Sequence, residues 1–446
     1  MDDGFKIGRL SVKRFGLYVL ASLLAVLTVT SLLQVAAPTQ AQRPQTQVAQ
    51  VAQFRKPTDA VLDWNTIAQT TVLAVAAPAP QQYRTLAIVH AAIFDAVNAI
   101  DRRYTPYAVD TKAAGASPEA AVATAGHTVL ASLYPTQKST LDAALTKALA
   151  TIAEGQAKTD GITLGKTIAK KLLALRSNDG ANQKGEYSAD QKPGIWQPTP
   201  PLFLPALLPH WSTVTPFVIK RADQFKIPAP LPLNSVAYAK ELNEVKRLGG
   251  KSSTDRTPDQ TAAGIWSAIA PVVLWNTAAQ TAALAKGNSL SENARLFALL
   301  NLAGVDAYIA GYDVKYKYKR WRPAIAIPHA DQLGNAAITA DPTWESLIVT
   351  PNHPDYISGH CVTAGADERI LQNFFGSDAV KVSLIFPANA GVTRSFTSFS
   401  QIAKELGEAR IWAGVHTRSA DTQGDVLGKA VGDYVFQTAL RPLNGV

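Results

Sequence analysis

The sequence predicts an all-α fold of two helical bundles, on three observations. Apolar residues recur at helical spacing through most of the chain, and no convincing run of alternating strand residues appears. With 446 residues, 47% of them hydrophobic, there is also enough chain for two cores. The expected organisation is an export signal over 1–41, a disordered linker over 42–54, an N-terminal bundle over 55–181, a Pro- and aromatic-rich connection over 182–234, and a C-terminal bundle over 235–446 that carries an oxyanion pocket.

Lys6, Arg9, Lys13 and Arg14 form a basic start, Leu17 to Leu33 is uncharged and apolar, and Ala36-Ala37-Pro38-Thr39-Gln40-Ala41 supplies small residues for a signal peptidase. The expectation is a periplasmic or secreted protein, cut near Ala41. Left uncut, the run would stay as a single N-terminal membrane anchor, which takes ~20 apolar residues. No later run reads as apolar for long enough to span a bilayer. Residues 42 to 54 are Gln-rich and polar, the composition of a linker.

From Thr58, an expected N-cap, Val61-Leu62, Ile67 and Val72-Leu73 recur at helix spacing, and Leu86, His90, Ile93-Phe94 and Val97 mark a second helix. Ser117-Pro118-Glu119 opens a third, running to Leu133 with a cap, a first-turn proline and a first-turn acid. Lys138 to Ile152 and Ile162 to Leu175 follow. Prolines from Pro193 to Pro232, with Trp196, Phe203, Trp211 and Phe217 among them, disfavour helix over 182–234 and suit a connection anchored by aromatics, reaching towards the pocket mouth. Helical patterning returns at Ser235 to Leu248, Thr257 to Ile269, Leu274 to Ala285 and Glu292 to Trp321, and again from Cys361 to Phe375.

The formal charge of +9 fits an anionic ligand, but the basic residues are scattered, without the aromatic and basic stripe of a nucleic-acid binder. Cys361 is the only cysteine, so no intramolecular disulfide forms; it reads as a small buried residue. His90, His127 and His210 read as structural.

Three clusters carry chemistry. Lys315 and Arg322 are two helical turns apart, on one face of a helix that Pro323 ends at Arg322. They aim an ammonium and a planar guanidinium fork at one site. Ser358-Gly359-His360 opens a helix, where free N–H groups and the dipole favour an anion and His360 can act as acid or base. Arg410 and His416 lie six residues apart, so both reach a pocket only if the helix breaks near Gly414. A neutral His416 suits a metal or attack on phosphorus. Each cluster alone has an ordinary explanation: a solvated basic face, a serine cap, a capping histidine.

In this order and spacing the set resembles the vanadium-dependent haloperoxidases and the type 2 phosphatidic acid phosphatases that share their fold, directly over Tyr312 to Asp421. Asp63-Trp64-Asn65 and the helix from Tyr83 to Asp101 are similar to the amino-terminal bundle of bacterial haloperoxidase-like members. The resemblance implies that Lys315, Arg322, Ser358, the amide of Gly359 and Arg410 hold the oxygens of a vanadate cofactor. It further implies that His416 binds vanadium and that His360 is the acid-base residue. The partners would be hydrogen peroxide, a halide and a small organic acceptor; an oligomer is left open. As a phosphatase, the same pocket would work through a phosphohistidine on His416. A third reading is a non-catalytic, phosphate-binding secreted helical protein.

The sequence departs from the family at three places. Ala409 stands where a serine often precedes the arginine, Ile357 where a proline often precedes Ser-Gly-His, and Ala420 where an aspartate commonly follows the last histidine by four. Asp421, one position later, is a candidate for orienting His416. His353, five residues before Ser358, matches the bromoperoxidase pattern and favours bromide, whereas Tyr312 stands where a halide-site tryptophan is common. Asp306 and Asp313 are candidates for orienting Arg322 or Arg410, with exposed helix acids as the ordinary explanation.

Overall fold

Local signals in the sequence set where most helices start. The structure, a computed structural model, describes residues 59–386 and 392–443. The expected export signal, the linker and residues 55–58 lie outside them. Helix α1 (Ala60–Ala74) is capped by Asp59, one residue after the expected Thr58; its carboxylate accepts from the amides of Val61 and Leu62 at 2.8 and 3.3 Å. Then come α2 (Ala79–Asp101), α3 (Pro118–Leu133, capped by Ser117 as expected), α4 (Lys138–Ala150) and α5 (Gln156–Leu175), the last starting a turn and a half earlier than its apolar pattern.

The connecting stretch 182–234 has one short 3-10 turn, Trp211–Thr213. It is fixed by buried aromatics and by hydrogen bonds to the rest of the chain. Trp196 and Trp211 are fully buried, and the amides of Phe217, Val218 and Ile219 all donate to the carboxylate of Asp306 at 2.7 to 2.8 Å. Asp306 is therefore neither an exposed helix acid nor an orienting partner of Arg322 or Arg410. It ties the connection to the core. Leu207 N–H donates to Asn352 O at 2.8 Å, so the stretch does reach the residue beside His353.

Helices α6 (Val236–Leu248), α7 (Pro258–Trp266), α8 (Pro271–Lys286), α9 (Leu290–Tyr318) and the single turn α10 (Pro323–Ala326) follow. The reciprocal Ser289–Glu292 capping box starts α9. By length and composition α9 could cross a bilayer, contrary to the expectation for later runs, yet its most apolar stretch is wholly buried in the protein. Other helices rather than lipid take up its apolar surface. It packs against α2, α11 (Gly359–Phe375) and α13 (Arg418–Thr438), and one apolar core runs from Val61 to Leu440 around it.

Helices α11 and α13 touch backbone to backbone because glycines face across them. A Cβ on Gly428 would lie 2.1 Å from Val362 O, and one on Gly365 would lie 2.4 Å from Asp425 O. Between these helices come β1 (Ala379–Phe386), β2 (Val392–Ser398) and α12 (Phe399–Trp412). The hairpin corrects the expectation of no strands. Val380, Val382 and Leu384 point inward while Lys381 and Ser383 face out, paired antiparallel with β2 through Val382 opposite Phe396. The fold remains overwhelmingly helical.

Candidate active site

The end of α9 begins the site. Lys315 lies in its last turn, fully buried, and its Nζ donates to the carbonyls of Pro354 and Asp355 at 2.7 and 3.2 Å. The helix stops at Tyr318, three residues before the expected Trp321, because Lys319 takes a left-handed conformation (φ 50°). Arg322 therefore does not share a helix face with Lys315. It is extended (φ −75°, ψ 154°) and caps α10, with Pro323 as the first residue of that turn. Chain reversal, not helical periodicity, returns it to the site. Its guanidinium is fully buried: Nε donates to His353 O at 2.7 Å, Nη1 to Val415 O at 2.6 Å and to His416 Nε2 at 3.0 Å, and Nη2 to His353 Nδ1 at 2.9 Å.

Ser358 caps α11 as expected, and its own N–H donates to Ala420 O at 2.8 Å, locking the helix start against α13. The first N–H groups of α11, those of Gly359 and His360, lack intrahelical partners by helix geometry. A Cβ on Gly359 would sit 3.3 Å from the Tyr308 ring and 3.9 Å from Lys315 Cε, so this glycine leaves the helix end open beside the lysine. His360 is partly buried in the first turn, with Nε2 3.3 Å from Ile269 O.

Arg410 is buried in the last turn of α12; Nη1 donates to Ser267 O at 2.7 Å, while Nε is buried with no hydrogen-bond partner among the described residues. Gly414 (φ 76°) then turns the chain, the break expected from the six-residue spacing. His416 follows, 1% exposed, with Nδ1 2.6 Å from Asp355 Oδ1. Asp421 does not reach His416: its Oδ1 accepts from Cys361 Sγ at 3.2 Å. The orienting role expected for Asp421 thus falls to Asp355, and Cys361 is buried as expected. Tyr312, one turn before Lys315, stacks at a tilt on His353, with ring centroids 5.8 Å apart. Asp313 is only partly buried.

Residues 295–445 match the family model described as the VCPO second helical-bundle domain. A bacterial vanadium-dependent iodoperoxidase structure is similar over 87% of this chain and 97% of its own, at 24% identity and a TM-score of 0.75. A bacterial vanadium-dependent chloroperoxidase is similar in its apo form (16% identity, 80% and 92% covered, TM-score 0.67) and in its holo form (17%, 86% and 94%, TM-score 0.67). The chain has the vanadium haloperoxidase fold. No curated protein matches the sequence.

Within that fold the electrostatics favour an anion held by neutral histidines. Burial, followed by the nearby cations, holds all three imidazoles well below the ordinary histidine range: Arg322 and Lys315 act on His416, Arg410 on His360, and Lys315 and Arg322 on His353. A neutral imidazole keeps the lone pair that a metal ligand or a base needs. Burial and Arg322 also push the Lys315 ammonium down, so a bound anion would relieve repulsion among the cations. Burial raises Asp355 to about 6 against the pull of Arg322.

The pocket fits a tetrahedral oxyanion such as vanadate on observations of its own. The orphaned Arg410 Nε is a donor without an acceptor, Gly359 opens a helix N-terminus, and Lys315, Arg322 and Arg410 converge with His416 and His360. Asp355 was not assigned a role from the sequence. Its signal was its place between His353 and Ser358, but its partner is 61 residues away.

Proposed function

We propose that the protein is a vanadate-dependent haloperoxidase that uses hydrogen peroxide to oxidise halide, bromide by preference, to hypohalous acid for halogenation of a small organic acceptor. One observation carries this reading: His416 presents Nε2 beside Arg322, with its Nδ1 tied to Asp355, at the open end of α11. Vanadate, when bound, supplies the Lewis-acidic centre that activates peroxide towards halide. Lys315, Arg322, Ser358, the Gly359 amide and Arg410 would hold its oxygens, and His416 would ligate vanadium through Nε2. His360, neutral and at the first turn of α11, would take a proton from hydrogen peroxide.

The names of the structurally similar iodoperoxidase and chloroperoxidase support a peroxidase over a phosphatase. Bromide rests on His353, which stands against Arg322 and Tyr312 on the site's edge. The first 41 residues support action in an exported compartment, with an anchor if the signal stays uncut.

A neutral, carboxylate-oriented histidine also suits attack on phosphorus, which keeps a phosphohistidine phosphatase as the second reading. The test incubates the protein with orthovanadate, bromide, hydrogen peroxide and a phenolic acceptor, with iodide and chloride in parallel. Vanadate-dependent halogenation that falls to background in His416→Ala is expected. Hydrolysis of p-nitrophenyl phosphate without halogenation would transfer the site to the phosphatase reading, and phosphate binding without either activity would leave only a binding protein.

A further inference from the structure

We infer that Asp355 is the positioning residue for His416, filling from the loop before Ser358 the role that Ala420 and Asp421 leave vacant on α13. The inference deepens the function proposed above and rests on it for the identity of the ligand.

Four contacts immobilise Asp355. Its N–H donates to Arg320 O at 3.0 Å, its carbonyl accepts from Lys315 Nζ at 3.2 Å, its Oδ2 accepts from Thr417 Oγ1 at 2.7 Å, and its Oδ1 accepts from His416 Nδ1 at 2.6 Å. The carboxylate is thus pinned by the residue that follows His416. The imidazole cannot turn about its χ angles without breaking both bonds. Because a carboxylate only accepts, Nδ1 must carry the proton and Nε2 the lone pair. Arg322 requires the same tautomer from the other side, since Nη1, which only donates, lies 3.0 Å from Nε2. Two neighbours of opposite charge therefore agree on which nitrogen is left to ligate.

Asp355 also couples two parts of the pocket. Its carboxylate sets His416 and its carbonyl holds Lys315, so displacing it would move a ligand and a cation together. Asp421 performs neither task, because its Oδ1 is occupied by the Cys361 thiol. Partners that orient a metal-binding histidine typically account for about 10–100-fold in metal affinity.

The experiment uses the full chain in two measurements. First, 15N NMR of histidine-labelled, vanadate-free protein, with His416 assigned by its loss in His416→Ala, should show one Nδ1–H tautomer. Asp355→Ala should merge or shift its two nitrogen resonances, and Asp421→Ala should keep them. Second, calorimetric binding of orthovanadate should weaken about 10–100-fold in Asp355→Ala and by a smaller factor in Thr417→Val, which keeps the carboxylate but removes its anchor. An unchanged tautomer in Asp355→Ala, or its loss in Asp421→Ala, overturns the positioning role. If Asp355→Ala does not fold, Thr417→Val decides by itself: vanadate affinity equal to wild type overturns the inference. Wild-type protein that fails to bind orthovanadate would overturn the function reading instead, while the NMR result still judges Asp355.

Discussion

A single methyl group at position 359 would meet the Tyr308 ring at 3.3 Å and crowd Lys315. This contact is tight rather than impossible, so Gly359→Ala is expected to fold. The cost falls on the pocket, because the added carbon stands where the helix end opens beside the lysine. Overpacking of this kind costs ~1–3 kcal/mol, a roughly tenfold or greater loss of oxyanion affinity. Calorimetric titration with vanadate, with thermal melting as the folding control, measures it; affinity within twofold of wild type would mean that the oxyanion does not approach Gly359. The same scale explains why His360, His353 and His416 stay neutral: each is desolvated among arginine and lysine charges, which no reading of the linear chain can weigh.

Among the elements, the connection over 182–234 owes its place to a single carboxylate. Asp306 satisfies three consecutive amides that would otherwise be buried unpaired, and burial raises it to about 6. Removing it in Asp306→Ala leaves those donors without partners, at ~1–3 kcal/mol each. Urea unfolding should show a loss of at least ~3 kcal/mol, against roughly 1 kcal/mol or less for the partly exposed Asp313→Ala. Equal losses for the two would show that the segment is held by its tryptophans alone. Caps and prolines made most of these elements legible: Ser117, Thr257, Ser289 and Ser358 each begin a helix by accepting a backbone amide. The hairpin was missed because its alternation spans only a few residues and its strands gain stability from packing on the helices, with Phe396 beside Trp266.

Over the whole molecule, the core around α9 contains a titratable group that water does not reach. His90 is fully buried, stacked on Phe297 with its Nε2 3.1 Å from Asn65 Oδ1, and desolvation lowers it from 6.5 to about 3. A depressed histidine is neutral in the folded protein while the unfolded chain takes up a proton below pH 6.5. Its stabilising contribution is therefore complete above pH 6.5 and is lost as pH falls towards 3. At ~1.4 kcal/mol per pH unit, about 2–3 kcal/mol should be gone by pH 4.5. Denaturant unfolding at pH 7.5 and 4.5 tests this: His90→Gln should lose less stability on acidification than wild type by about that amount. Parallel acid slopes for the two proteins would place the acid sensitivity elsewhere, the three site histidines being the next source.

By itself the sequence determined the helical character, the ends of most helices and the identities of Lys315, Arg322, Ser358, Gly359, His360, Arg410 and His416 as one set, because caps, apolar periodicity and motif spacing are local properties of the chain. Only the tertiary structure decided how those residues meet. Arg322 arrives after a left-handed turn at Lys319 rather than along the helix of Lys315, and the carboxylate behind His416 comes from Asp355 rather than Asp421. Hydrogen bonds between residues 61 positions apart depend on how α9, α11 and α13 pack, and that packing is set by shape and burial summed over the whole core, which no short stretch of sequence encodes.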